Sequence, residues 1–383
     1  MIIAVLPQNR IQTDAQTRVQ AFLDELIQTK QETGLQVAAY LDGKLVIDAW
    51  AGMADPQKNI PVREDTLFVS FSCSKGVTST LIHLLAEQGK LNYDTSVDHY
   101  WPGFGVNGKA GITIRHVMAH QAGIPQTPKR ITMERLEDWD WVIHEIENLK
   151  PLWKPGTKTG YHGLTMGYIL AEVAQRVDGR SFAQMVQEEI CAPLGISDLY
   201  FGVPQNAESR IAMIGGSRLP LLYLPPIFLV KRIIPSAIEP GAKWNNRGLW
   251  SAVIPSGNMV TTARSLARHY ASLVGEGVDG VRLLSPERMK IASTLQTDDR
   301  DQVFLGARIR KAMGYWLGGA GDDAFGTRSS VFGHTGSGGL IGFGDPEYNF
   351  SFALLKNQMT WRGGDDTDFK VAHVVREALG IPD

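Results

Sequence analysis

Ser72-Cys73-Ser74-Lys75 sets a hydroxyl and an amine three residues apart, and it is the one Ser-x-x-Lys in the chain. A serine hydroxyl is protonated at neutral pH and attacks a carbonyl only with a base within hydrogen-bond reach. Residues three apart share a helix face, so a helix beginning near Ser72 would bring Lys75 to it. The start of a helix carries partial positive charge and free N–H groups, which would depress the Lys75 pKa and favour an oxyanion beside Ser72. That chemistry is acyl transfer. Alone, the spacing says little, because such a pair is usually a solvated face. Here it follows the β-prone Leu67-Phe68-Val69 and opens an apolar helix, so it belongs at a junction between sheet and helices.

Two other stretches carry groups such a serine needs. Pro155-Gly156-Thr157-Lys158-Thr159-Gly160-Tyr161-His162-Gly163 places a tyrosine on a turn-rich loop just before a helix. Its phenol can relay protons if a neighbouring Lys75 ammonium lowers its ordinary pKa of about 10. The plain alternative is a tyrosine that anchors its loop. Gly333-His334-Thr335-Gly336-Ser337-Gly338-Gly339 lets a backbone approach a substrate closely, and one of its N–H groups can complete an oxyanion hole. The plain alternative there is a hairpin turn.

Competing motifs fail on context. Gly103-Phe104-Gly105-Val106-Asn107-Gly108-Lys109 matches Gly-x-Gly-x-x-Gly, but Trp101-Pro102 precedes it instead of a strand, and Ala110 stands where a P-loop needs Ser or Thr. A surface turn is expected. There is no Gly-x-Ser-x-Gly elbow, and His144-Glu145 begins a His-Glu-x-x-His that is not completed. The histidines form no ligand-spaced group, so neither a metal nor another cofactor is expected.

The elements that must position these residues follow from periodicity. Val19, Phe22, Leu23 and Leu26 recur at helical spacing, and β-prone runs 35–41 and 44–51 flank Asp42-Gly43, which predicts a hairpin. Residues 73–90 read as a buried helix with Val77, Leu81, Leu84, Leu85 and Ala86 on one face and Gly89 closing it. Further helices are expected over 113–122, 139–149, 165–177 and 182–189. Strands return only near the end, at 331–333, 339–343 and 350–355, before a C-terminal helix at 369–379. The early hairpin needs these late strands as partners. The fold class is therefore α+β, an antiparallel sheet flanked by helices with a mainly helical lobe inserted. The expected division is 1–72 plus 246–383 around the sheet and 73–245 as the helical lobe, with a site in the cleft between them.

With 383 residues and a net charge of −2, the chain has no basic footprint for nucleic acid. Cys73 and Cys191 match no Cys-x-x-Cys spacing; free cytosolic thiols are the plain reading, and a single disulfide stays open. The opening Met-Ile-Ile-Ala-Val-Leu-Pro lacks a basic region and a cleavage site, which predicts a cytoplasmic protein. Residues 219–240 are apolar, but Pro220, Pro225, Pro226 and Pro235 and the central Lys231-Arg232 argue against a spanning helix. A loop over an apolar pocket is expected there, with plain core or membrane-surface contact as the alternatives, and no stable membrane span. Oligomeric state leaves no trace in the sequence.

The three site motifs, in this order, resemble the serine β-lactamase and penicillin-binding superfamily over almost the whole chain. Segments 67–75, 112–125, 155–167 and 332–339 look most like family VIII carboxylesterases and class C β-lactamases. The resemblance implies Ser72 as nucleophile, Lys75 as its activating partner and Tyr161 as proton shuttle. It implies an oxyanion hole from the backbone N–H groups of Ser72 and Ser337, with His334, Thr335, Gly336 and Gly338 binding substrate. His120, in a helix expected to end at Gly123, would be structural. His334-Thr335-Gly336 stands where many β-lactamases carry Lys-Thr-Gly, and Gly163 stands at the Asn of Tyr-x-Asn. Both departures remove polar groups used on β-lactams and peptides, so the implied activity is hydrolysis of a small-molecule carboxylic ester through an acyl-enzyme. The alternatives are β-lactam hydrolysis, D-Ala-D-Ala carboxypeptidase action, acyl transfer to an alcohol, and an inactive binding protein of the same fold.

Overall fold

The computed structural model describes residues 8–216, 233, 235–319, 325–359 and 367–383, with side chains from residue 14 on. Its largest sheet has seven strands in the order Ile60–Pro61, Lys44–Asp55, Gly34–Leu41, Phe350–Lys356, Leu340–Asp345, Phe332–Gly336 and Trp316–Leu317. Every neighbouring pair is antiparallel. The hairpin at Asp42-Gly43 forms as expected, both residues taking positive φ (48° and 72°) as a tight two-residue turn demands. Strand Gly34–Leu41 then pairs with Phe350–Lys356, which joins the two ends of the chain.

Both faces of the central strands are buried, so these strands read as apolar runs instead of alternating ones. Leu35, Val37 and Ala39 pack with Phe352 and Leu354 under the helices Gln8–Gln28 and Thr367–Leu379. Ala38 and Tyr40 face the opposite core with Ala353 and Leu355, where helix Ala263–Ala271 lies.

On that second side, helix Ser74–Glu87 runs through the core and is buried from Ser74 to Ala86. It packs against Thr165–Asp178, a helix terminated by Gly179 in the left-handed conformation at φ 88°. Shorter helices include Ile114–Met118, Trp139–Asn148 and Phe182–Val186. The helix expected over 113–122 ends early: after Met118 the chain turns, and His120 takes φ 58°, which no helix interior accommodates.

Strands do not return only near the end. Phe68–Val69, Val260–Thr261 and Leu199–Tyr200 form a small antiparallel sheet of their own, with Val260–Thr261 in the middle. Two-residue strands have too little periodicity to register in a sequence. Cys73 and Cys191 are both free and buried, so they form no disulfide. Among the described residues no helix is long and apolar enough to cross a membrane. Most of the apolar stretch 219–240 lies outside the described residues; within it, Ile233 is buried against Tyr161 and Val303.

In the Gly103–Lys109 stretch Gly103 to Gly105 belong to a 3₁₀ helix, Pro102–Gly105, and the rest is a turn, but Lys109 is not a surface residue. It is buried, and its ammonium donates to the carbonyls of Val106, Glu147 and Leu149 at 2.9, 2.6 and 2.8 Å. A lysine can tie off loop ends in this way when it finds three acceptors.

Candidate active site

From Thr66 to Ala86 every residue is buried except Ser72, which keeps part of its surface open. The small sheet delivers the chain to a 3₁₀ turn, Phe71–Cys73, where Phe71 takes φ 45°. A positive φ on an aromatic residue is strained and persists only where its surroundings fix it. They do so here. Ser70 Oγ donates to Met259 O at 2.8 Å, Ser74 Oγ donates to Phe71 O, and Met259 N donates to Ser74 Oγ at 3.0 Å. Ser74 is thereby used up in holding the turn, which leaves Ser72 as its open hydroxyl.

Lys75, the second residue of helix Ser74–Glu87, donates to Ser72 Oγ at 3.0 Å and to the carbonyl of Ser256 at 2.8 Å. It is fully buried, and burial lowers its pKa to about 7. The direction matches the sequence expectation, whereas the chief cause is desolvation and not the helix end. Tyr161 donates its phenol O–H to Ser72 Oγ at 2.7 Å, and Lys75 Nζ sits 5.0 Å from the centre of its ring. The expected lowering of the Tyr161 pKa is overturned. Burial pushes it up, and the hydrogen bond to Ser72 pulls only weakly the other way. Tyr161 is a proton donor in this arrangement.

Strand Phe332–Gly336 brings the third motif to the same place. Cys73 Sγ donates to His334 O at 3.5 Å, and a Cβ on Gly336 would come within 2.5 Å of Ser70 O. Only glycine lets the strand end approach the Ser72 turn this closely. Ser337 follows it, partly exposed, and Gly338 turns the chain with φ 92°. Thr335 is partly buried on the strand, while His334 is fully buried against Trp316, ring centres 4.7 Å apart. His334 Nδ1 donates to Thr335 O at 2.7 Å, and burial lowers the imidazole pKa to about 3. The ring is neutral, which agrees with the expected loss of a cation at this position.

Gly163 lies beside the phenol: a Cβ there would meet Ile233 at 3.5 Å and Tyr161 Cε1 at 3.8 Å. His120 packs on Tyr161 with ring centres 5.1 Å apart and planes tilted by 43°, and its Nδ1 accepts from the backbone N–H of His162 at 3.0 Å. Its place is in the Tyr161 loop, in keeping with a structural role.

Several residues of this neighbourhood were not singled out from sequence. Ser256 supplies the carbonyl that holds Lys75, on a loop organised by Asn258, whose side chain accepts from Ile254 N and donates to Leu249 O and Ala252 O. Trp316 and Phe304 pack on the Tyr161 ring at 5.6 and 5.1 Å. Asp301 and Lys311 lie behind it. A backbone carbonyl leaves no mark in a sequence, whereas the polar run Pro255-Ser256-Gly257-Asn258 is at least a turn signal.

The beta-lactamase family model matches residues 19–376. The chain belongs to the β-lactamase family. The esterase/beta-lactamase LipL of Mycobacterium tuberculosis is 35% identical over 349 residues, covering 85% of this chain and 77% of that protein. The crystal structure of a family VIII carboxylesterase superposes with a TM-score of 0.86 at 29% identity, covering 95% of this chain and 98% of the other. A penicillin-binding protein homologue from Caulobacter crescentus gives a TM-score of 0.84 at 29% identity, covering 96% and 98%. The protein is thus a serine hydrolase of the β-lactamase fold, and its mixed sheet-and-helix architecture is that of the family.

Proposed function

We propose that the protein is a carboxylesterase that hydrolyses small-molecule esters through a covalent acyl-enzyme on Ser72. The observation that carries this reading is the convergence of Lys75 Nζ and Tyr161 Oη on Ser72 Oγ, at 3.0 and 2.7 Å. A lysine with a pKa of about 7 holds a lone pair in much of its population at neutral pH. It takes the Ser72 proton as Oγ attacks the ester carbonyl carbon. The developing oxyanion is received by the N–H groups of Ser72 and Ser337. As the bond to the alcohol oxygen breaks, Tyr161 protonates the leaving oxygen and Lys75 returns a proton to Tyr161. Water then attacks the acyl carbon, its proton passing back to the same groups, and Ser72 is regenerated.

Two features favour esters over β-lactams and peptides as substrates. Gly163 offers no amide beside Tyr161, and neutral His334 offers no cation to a substrate carboxylate. The structure named as a family VIII carboxylesterase supports this reading, while the LipL relative is named for both esterase and beta-lactamase. Parallel assays with p-nitrophenyl esters and nitrocefin test the assignment. Ester turnover should exceed nitrocefin turnover, and the reverse order would make the protein a β-lactamase.

A further inference from the structure

Four consecutive residues around Tyr161 are tied to two other parts of the chain. On one side, Gly160 N donates to His120 O and His162 N to His120 Nδ1, both at 3.0 Å. On the other side stands a carboxylate with no exposed surface. Asp301 Oδ1 accepts from Tyr161 N at 3.3 Å, Val303 N at 2.7 Å and Phe304 N at 2.9 Å. Its Oδ2 meets Lys311 Nζ at 2.7 Å, also with no exposed surface, and Lys311 donates in turn to Thr159 Oγ1 at 3.0 Å. Gln302 N closes the ring by donating to Thr159 O at 3.0 Å.

A buried ion pair is rarely the cheapest way to stabilise a fold, since desolvation of both ions offsets most of their attraction. What it supplies is geometry: each partner is committed to one place by several bonds. Here those bonds run to the backbone that carries the Tyr161 phenol and to the Val303 and Phe304 loop that packs on its ring. Asp301 and Lys311 touch neither Ser72 nor the open side of the site. Whatever they contribute to chemistry must pass through Tyr161.

We propose that Asp301 and Lys311 are a positioning pair that sets the Tyr161 phenol at hydrogen-bond distance from Ser72 Oγ. The inference rests on the reading of Tyr161 as the group hydrogen-bonded to Ser72 that protonates the leaving oxygen. A neutral amide cannot replace the carboxylate. If the amide introduced by Asp301→Asn turned its oxygen toward the Tyr161 N–H, its NH2 would face the Lys311 ammonium, donor against donor. Misplacing a catalytic group by about 1 Å costs on the order of 10²-fold in rate.

The test is a coupling measurement on the full-length protein. The rate at which a fluorophosphonate labels Ser72 is followed by mass spectrometry for wild type, Asp301→Asn, Lys311→Met, Tyr161→Phe and Asp301→Asn/Tyr161→Phe, with circular dichroism melts to verify folding. Asp301→Asn and Lys311→Met should each label about 10- to 100-fold more slowly. In the Tyr161→Phe background, Asp301→Asn should add less than about twofold, because residues acting as a unit are not additive. Ester kinetics should show the loss in kcat, with KM changing little. Labelling of folded Asp301→Asn at the wild-type rate, or the same loss with and without the phenol, overturns the inference. Should Asp301→Asn fail to fold, Lys311→Arg carries the same comparison with the charge retained and the donor geometry changed. Absence of labelling in the wild type overturns the reading of Ser72 and this inference with it, whereas a labelled wild type with an unaffected variant overturns the inference alone.

Discussion

Lys75 Nζ lies 3.0 Å from Ser72 Oγ at the end of a side chain that has no contact with solvent. The same burial that lowers its pKa to about 7 makes it a base at neutral pH, so structure and acid–base chemistry have one cause here.

The pH dependence follows from that shift. The reaction needs Lys75 neutral, so kcat/KM should rise with pH through an apparent pKa near 7 and be lost below it. His334, with its pKa lowered to about 3, stays neutral across this range and should contribute no limb. Lys75→Ala should cost about 10³-fold or more and abolish the limb. A pH–rate profile of both proteins on one ester checks this.

Tyr161→Phe removes a donor whose pKa is raised by burial. The expected loss in kcat is about 10²-fold to 10⁴-fold, with no alkaline limb from phenol ionisation in the wild type below pH of about 10. Steady-state kinetics up to that pH measure both. Near wild-type turnover in Tyr161→Phe would remove the phenol from the mechanism.

Gly336→Ala would drive a Cβ to within 2.5 Å of Ser70 O and 3.2 Å of Cys73 Sγ. The strand must retreat from the Ser72 turn, taking the Ser337 N–H with it. A loss of about 10²-fold in kcat is expected, with a destabilisation of about 1–3 kcal/mol. Urea titration and ester kinetics on the same preparation separate the two effects.

Gly163→Asn is the opposite case. The neighbours of a Cβ there, Ile233 at 3.5 Å and Tyr161 at 3.8 Å, are at ordinary contact distance, so a Cβ is accommodated without displacing them. The restored amide should raise nitrocefin turnover relative to ester turnover by about tenfold or more. The ratio of the two kcat/KM values reads it directly.

The sequence was most informative where structure is local. Asp42-Gly43 specifies its turn through backbone conformation alone, and Ser72 and Lys75 meet because they are three residues apart at a helix start. Tyr161 and the Gly333–Gly339 run were legible as unusual loops, and their resemblance to a known family supplied their meeting. What did not show was chemistry created by distant contacts. Ser256 matters through a main-chain carbonyl, and Asp301 with Lys311 becomes a site only when two loops 140 residues apart are brought together. The Tyr161 pKa departs from the sequence expectation for a related reason: the amount of water removed around a group is a property of packing, and burial is the largest cause of the rise.

Acylation of Ser72 is the step on which every other assignment depends. Brief incubation with a p-nitrophenyl ester, an acid quench and peptide mass spectrometry should find one acyl group, on Ser72, together with a burst of nitrophenol that Ser72→Ala lacks. Ester turnover that persists in Ser72→Ala, or an acyl group found on another residue, would contradict it.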